Sequence, residues 1–318
     1  MSRLPALLTR VIPELYVARQ GTGGSFLDVL SGVAATRPDA VALWMGERRI
    51  TYAQLALEVD VQAARFLRAG MRPGQRAALC GSNSLEYVVA LLAAARLGVP
   101  VALPDFELSS ELLGEALRRA GAEFVLCDAA SEARVQSVTS VPRCTIGSIE
   151  TAPQSASERE PSDQRLLREI ELVGARPGWN SDFAYVFTSG TTGKSKPCRV
   201  THGRALLASS AFGRLVMRLR PDDVLYCPLP LCHSSALLLG LCACLRTGAT
   251  LVLRERFSAR HFLADVRRTR ATVLLYVGEL GRALVQLPES PLDREHALRL
   301  AVGNGMHESV WEGLQRRF

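Results

Sequence analysis

The sequence predicts an α/β protein of two subdomains, each a mixed or largely parallel sheet flanked by helices. Three observations carry this. Short apolar runs alternate with longer amphipathic segments from residue 41 to 128 and again from 183 onward, the rhythm of parallel strands joined by helical crossovers. A polar stretch with two prolines, residues 151–165, separates these regions, and Pro177-Gly178 makes a second break. Of the 318 residues, 48% are hydrophobic, which is enough for a sizeable core. The expected division is 1–150 for the first subdomain, 151–178 for a linker and 179–318 for the second.

Residues 1–40 are weakly patterned, and Gly21 to Ser25 reads as a loop. Val41-Ala42-Leu43-Trp44-Met45 is strand-like, and Gly46-Glu47 turns the chain. Thr51-Tyr52-Ala53-Gln54 has the S/T-x-x-E/Q form of a capping box, so a helix is expected from there to about Ala69, ended by Gly70 and Pro73-Gly74. A strand from Arg76 to Cys80, a helix from Leu85 to Leu97, a strand from Val99 to Leu103, a helix from Ser110 to Ala120 and a strand from Phe124 to Asp128 follow. Residues 129–149 show no clear pattern. Beyond the linker, Phe183 to Phe187 is a strand, and helices are expected near 202–219, 235–245, 258–269 and 278–287. They alternate with strands at Val224 to Cys227, Thr250 to Leu253, Ala271 to Tyr276 and Ala297 to Val302. Gly303-Asn304-Gly305 ends the last strand, and a final helix begins near His307. There is no internal repeat at a fixed period.

The chemistry concentrates in one stretch, Thr188-Ser189-Gly190-Thr191-Thr192-Gly193-Lys194-Ser195-Lys196. Placed between a strand and a helix-like segment beginning near His202, it predicts the order strand, glycine loop, helix. Two glycines let the backbone turn tightly and approach a ligand closely. The hydroxyls and successive backbone N–H groups can form an anion-binding nest, and Lys196 can bring a mobile charge to a phosphate. Lys194 and Lys196 are the only lysines among 38 basic residues. A Walker A loop needs its first glycine at 188, where Thr188 stands, so a P-loop NTPase is disfavoured.

The net charge is +7, but the arginines are dispersed and no aromatic interleaving accompanies them, which argues against nucleic acid. Contact with an anionic membrane surface, at most peripheral, suits the charge better. The longest apolar run, Ala236 to Leu245, is too short to cross a bilayer. Eight cysteines, mostly in apolar runs, and the lack of a continuous apolar h-region in Met1 to Gln20 are expected of reduced, buried thiols in a cytoplasmic protein. Cys242-x-Cys244 lacks a second pair at zinc spacing, and no metal ligands are assigned.

Thr188 to Lys196 resembles the T-S-G-T-T-G-x-P-K signature of the adenylate-forming (AMP-binding) superfamily, with Ser195 where the signature has proline. Ile50-Thr51-Tyr52-Ala53-Gln54-Leu55, Arg96-Leu97-Gly98-Val99-Pro100-Val101 and Pro228-Leu229-Pro230-Leu231-Cys232-His233 resemble further elements of that superfamily. Phe257 to Phe262, Tyr276-Val277-Gly278-Glu279-Leu280 and Ala301 to Met306 are most similar to the branch of fatty acid transport proteins and very-long-chain acyl-CoA synthetases.

This resemblance implies the fold of that superfamily's N-terminal domain, and AMP-forming acyl-CoA synthesis from a fatty acid or similar carboxylate with ATP, Mg2+ and CoA. Thr188, Ser189, Gly190, Thr191, Thr192, Gly193 and Lys196 then hold the ATP phosphates. Gly303, Asn304 and Gly305 lie against adenine, and His233 stands near the acyl and adenylate site. Other readings stay open. His233 could be a buried, hydrogen-bonded residue at a helix start. Tyr276 and Val277 could line an acyl pocket or pack in the core, and Glu279 could be a first-turn helix acid. The Tyr-Gly-x-Thr-Glu and Thr-Gly-Asp elements of the superfamily are absent, as is its small C-terminal domain. The sequence is therefore expected to be the first part of the large domain, active only when the remainder is fused or supplied in trans. The alternative is a non-catalytic nucleotide- or acyl-binding protein of the same fold.

Overall fold

The structure, a computed structural model, describes residues 24–147, 149, 168, 170, 177–188 and 195–318. Of the expected linker 151–178, all but 168, 170, 177 and 178 lies outside the described residues.

Twelve strands are described. The first six are β1 (Val41–Met45), β2 (Arg48–Thr51), β3 (Ala77–Cys80), β4 (Val101–Leu103), β5 (Phe124–Cys127) and β6 (Arg143–Thr145). The others are β7 (Asp182–Thr188), β8 (Lys196–Thr201), β9 (Val224–Cys227), β10 (Thr250–Leu253), β11 (Val273–Val277) and β12 (Leu300–Asn304). They form two sheets of six, in the orders β6-β5-β3-β4-β7-β8 and β12-β11-β9-β10-β1-β2. Each sheet is parallel except for one antiparallel edge strand, β8 in the first and β2 in the second. The orders are the same: four strands in a crossover series, then a hairpin at one side. The repeat is one of topology.

The division at residue 150 is not the division between sheets. The hairpin β1–β2 completes the sheet made by β9 to β12, and β7–β8 completes the sheet made by β3 to β6. The helix Leu85–Arg96 joins them. Val88 to Ala95 are all buried, as befits a helix apolar on every side, and it packs on β3 and β4 of one sheet and β1 of the other. A continuous core that spans both sheets results, holding Leu79 and Phe183 with Leu43 and Tyr226, and a second, smaller cluster gathers around Leu113 and Val125.

Local signals explain most elements. At Thr51 the capping box forms as expected: Thr51 Oγ1 accepts from Gln54 N–H while the Gln54 side chain accepts from Thr51 N–H, starting the helix Tyr52–Arg68. Gly121, at φ +61°, ends the helix Ser110–Ala120 in a left-handed conformation that glycine adopts without strain. Four expectations need correction. Within the weakly patterned first 40 residues there is a helix, Phe26–Thr36, with its own Ser25/Asp28 capping box and Phe26, Leu27, Val29 and Leu30 buried. The unpatterned stretch 129–149 holds a helix, Ala129–Val138, capped by Asp128, and then β6. The glycine loop is followed by β8, so the order is strand, loop, strand, helix. Pro197 hides this strand from a sequence reading, and it is tolerated because β8 is an edge. The helices expected near 202–219 and 235–245 are each part α and part π, with π turns over Ser210–Val216 and Ser235–Cys242.

Candidate functional site

In open α/β sheets, ligands bind beyond the carboxyl ends of the strands. Here those ends converge. The residues that follow β3, β4, β9, β10 and β11 border one cleft of ≈ 380 Å³, walled by Asn83, Tyr87, Phe106, Leu231, Phe257 and Val277 among others. That size suits a small-molecule site, typically ~300–1,000 Å³.

Asn83 fixes this convergence. Its Nδ2 donates to Leu229 O at 2.9 Å and Arg254 O at 3.0 Å, and its Oδ1 accepts from Leu231 N–H at 2.8 Å. One buried amide after β3 therefore ties down the segments after β9 and β10. Across the cleft the loop after β4 is held by Arg134, which donates to Phe106 O and Leu108 O and stacks on the Phe106 ring.

The two described flanks of the sequence-predicted phosphate loop, Thr188 and Lys196, stand at the same edge. Strand β7 runs parallel to β4, with Leu103 opposite Val186, so Thr188 emerges at the carboxyl edge. Thr188 pairs with Lys196 as the last rung of the β7–β8 hairpin, and Lys196 is exposed there. Arg119 reaches Ser195 O at 3.4 Å. Lower in the hairpin Asp182 accepts from both Tyr185 and Arg199 and braces the two strands. Ser189, Gly190, Thr191, Thr192, Gly193 and Lys194 lie outside the described residues.

Gly303, Asn304 and Gly305 are exposed at the carboxyl end of β12, where Asn304 is in register with Val277. Close approach requires the glycines here. A Cβ on Gly303 would stand 2.1 Å from Tyr276 O, and one on Gly278 would stand 1.8 Å from Gly305 O. Tyr276 and Val277 part company. Val277 lines the cleft, whereas Tyr276 lines a separate apolar cavity of ≈ 360 Å³ beneath β11 and β12. Glu279 is exposed and pairs with Arg282 at 3.6 Å, which fits a first-turn helix acid.

His233 is exposed, directly after the cleft residue Cys232, so the buried alternative does not hold. Its backbone N–H donates to Pro230 O and its carbonyl accepts from Leu237 N–H, which fixes the turn that presents it. His202 is the buried histidine. Its Nδ1 accepts from Phe26 N–H at 3.1 Å, and its ring packs on Phe183. The tautomer is therefore Nε2–H, and burial pulls its pKa from 6.5 to about 4 against the weaker pull of Asp28 and Asp182. Seven cysteines are buried and only Cys198, on β8, is exposed. Burial raises the Cys80, Cys227 and Cys232 thiols to about 12, which keeps them unreactive. Among the described residues no group of three or more His, Cys, Asp or Glu stands together. A sequence reading misses Asn83, Tyr87 and Phe106, although each follows a recognisable strand end by a few residues, where the carboxyl-edge rule would direct attention.

Comparison with known proteins sets this geometry in a family. The AMP-binding enzyme profile matches residues 30–318. Long-chain fatty acid transport protein 5 of Mus musculus is 33% identical over 314 residues, covering 92% of this chain and 45% of its own length. The medium/long-chain-fatty-acid–CoA ligase FadD6 of Mycobacterium tuberculosis is 31% identical over 316 residues, covering 95% of this chain and 50% of its own. The chain thus spans about half the length of these relatives. The N-terminal domain of FACL13 from Mycobacterium tuberculosis superposes with a TM-score of 0.77 at 22% identity, over 92% of this chain and 73% of that one. O-succinylbenzoate coenzyme A synthetase (MenE) from Bacillus subtilis, in complex with AMP, superposes with a TM-score of 0.72 at 22% identity, over 91% and 70%. The two sheets with their shared carboxyl edge are thus the fold of an adenylate-forming N-terminal domain, and the chain belongs to the AMP-binding enzyme family.

Proposed function

We propose that this chain supplies the phosphate- and acyl-binding part of an AMP-forming fatty acid–CoA ligase, which activates a carboxylate with ATP and passes the acyl group to CoA. The observation that carries this is the convergence at one edge: the hairpin mouth Thr188/Lys196 and the segment Gly303–Gly305 stand at the carboxyl ends of β7 and β12, which pair in parallel with β4 and β11, two of the strands whose ends border the mainly apolar cleft. Attack of the carboxylate oxygen on the α-phosphorus breaks the bond to pyrophosphate and leaves charge on the phosphate oxygens. An exposed Lys196 ammonium at the loop mouth is suited to hold that charge as it develops. The backbone of residues 188–193 would hold the phosphates, Gly303, Asn304 and Gly305 would lie along the adenine, and His233 would face the reacting acyl group. Mg2+ would neutralise part of the phosphate charge, and no described residue is assigned to it.

Fatty acids are the proposed substrates. The cleft wall is mainly apolar, Glu279 is turned to solvent and paired with Arg282, and the relatives named above carry fatty acids in their names. Turnover is assigned to this chain together with the part that its relatives carry beyond the matched half. The chain alone should bind ATP weakly and form no acyl-CoA. Contact with membrane would be peripheral; no helix among the described residues is long and apolar enough to cross a bilayer. The test is a panel of carboxylates offered, with ATP and CoA, to this chain joined to the C-terminal portion of such a relative. Fatty acids should be turned over, and preference for an amino acid would overturn the substrate reading.

A further inference from the structure

The wall of the same cleft contains a polar group that the reading above does not use. Tyr87 lies in the first turn of the helix Leu85–Arg96, where Ser84 Oγ accepts from its N–H at 2.9 Å and fixes its backbone. It lines the cleft and is 3% exposed. Its hydroxyl is buried and has no hydrogen-bond partner. A buried hydroxyl without a partner forfeits its hydration and gains nothing in return, and phenylalanine would fill the same space without that loss. Burial, and then Cys232, Cys80 and Asp105, push its pKa well above the ordinary tyrosine range, so the O–H proton stays in place as a donor.

The neighbours define the acceptor. Cys232 and Cys80 are themselves protonated by burial and carry no charge. Asp105 lines the cleft and is the one carboxylate that acts on the Tyr87 hydroxyl. An anionic ligand oxygen there would meet a like charge, and a neutral carbonyl oxygen would not. Leu231, Phe106 and Val277 on that wall are apolar, and the one cation among the described residues that line the cleft, Arg256, is paired with Glu107 at 2.8 Å, with Glu255 beside it in the lining. We propose that the Tyr87 hydroxyl donates a hydrogen bond to the neutral carbonyl oxygen of an activated acyl group in the cleft, and so favours ester or thioester forms over the free carboxylate. This rests on the fatty-acyl reading above.

The test compares the 318-residue chain with Tyr87→Phe, using two probes, S-dodecanoyl-N-acetylcysteamine and dodecanoate, by titration calorimetry, together with thermal unfolding of both proteins without ligand. The unaltered chain should prefer the thioester. Tyr87→Phe should lose about tenfold in thioester affinity, change little toward dodecanoate, and unfold at the same or a higher temperature. Equal thioester affinity in the two proteins would overturn the inference and leave the fatty-acyl reading standing. An equal loss for both probes would overturn the preference for a neutral carbonyl. A lower unfolding temperature for Tyr87→Phe would show that the hydroxyl is bonded within the protein, which also overturns the inference. Failure of the unaltered chain to bind either probe would remove the fatty-acyl reading, and the inference with it.

Discussion

Asn83→Ala should separate the two sheets at the cleft. The side chain makes three hydrogen bonds, to Leu229 O, Arg254 O and from Leu231 N–H, all within 3.0 Å, and is 6% exposed. Each bond contributes about 1 kcal/mol net, and each buried group left unpaired costs about 1–3 kcal/mol. The cleft lies alongside and can admit water to part of this site, so the expected loss is about 3 kcal/mol rather than the sum of three full penalties. Asn83→Asp sharpens the expectation. It keeps the acceptor for Leu231 N–H but turns a carboxylate toward two carbonyl oxygens, so it should be less stable than the alanine variant. Urea unfolding followed by tryptophan fluorescence reads both. An Asn83→Ala protein within ~0.5 kcal/mol of the unaltered chain, the size of an ordinary surface change, would refute the assigned role of Asn83, as would an aspartate variant more stable than the alanine one.

Three further outcomes follow from the geometry. His202 is neutral in the fold, with its pKa lowered from 6.5 to about 4 by burial, so the unfolded chain binds more protons between those values and stability falls as pH drops from 6.5 toward 4. The loss is about 3 kcal/mol, and a His202→Gln protein with the same acid limb in its stability curve would contradict it. Gly278→Ala places a Cβ 1.8 Å from Gly305 O. It should cost about 1–3 kcal/mol in urea unfolding and weaken AMP binding, and an unchanged midpoint would contradict the close approach. Only Cys198 among eight cysteines is exposed, so a thiol reagent should modify one thiol per folded chain, and zero or several would contradict the burial pattern.

The parts of the fold that the sequence discloses are those set by neighbours along the chain. The Thr51 capping box, the glycine stop at Gly121 and the buried run Val224–Cys227 are all local, and all stand where expected. What escapes a sequence reading is pairing. Nothing in Val41–Met45 announces that it lies beside β10, some 200 residues on in the chain (Leu43 opposite Leu251), because parallel partners recognise one another through packing and not through a local signal. For the same reason the shared topology of the two sheets leaves no sequence period. The site divides likewise. Thr188, Lys196 and Gly303–Gly305 are visible because a glycine-rich loop is a local feature. Asn83 and Tyr87 gain their roles only when the ends of both sheets meet around them.

Fatty carboxylates are proposed to be adenylated over the β7–β8 loop, with Lys196 at the phosphates. The measurement that tests it most directly is fatty-acid-dependent exchange of labelled pyrophosphate into ATP, by this chain joined to the C-terminal portion of a relative. Exchange should require dodecanoate, fall at least a hundredfold in Lys196→Ala, a loss of about 2.7 kcal/mol in transition-state stabilisation, and change little in Lys194→Ala. Exchange that proceeds without a carboxylate, or that survives Lys196→Ala and is abolished by Lys194→Ala, would contradict it.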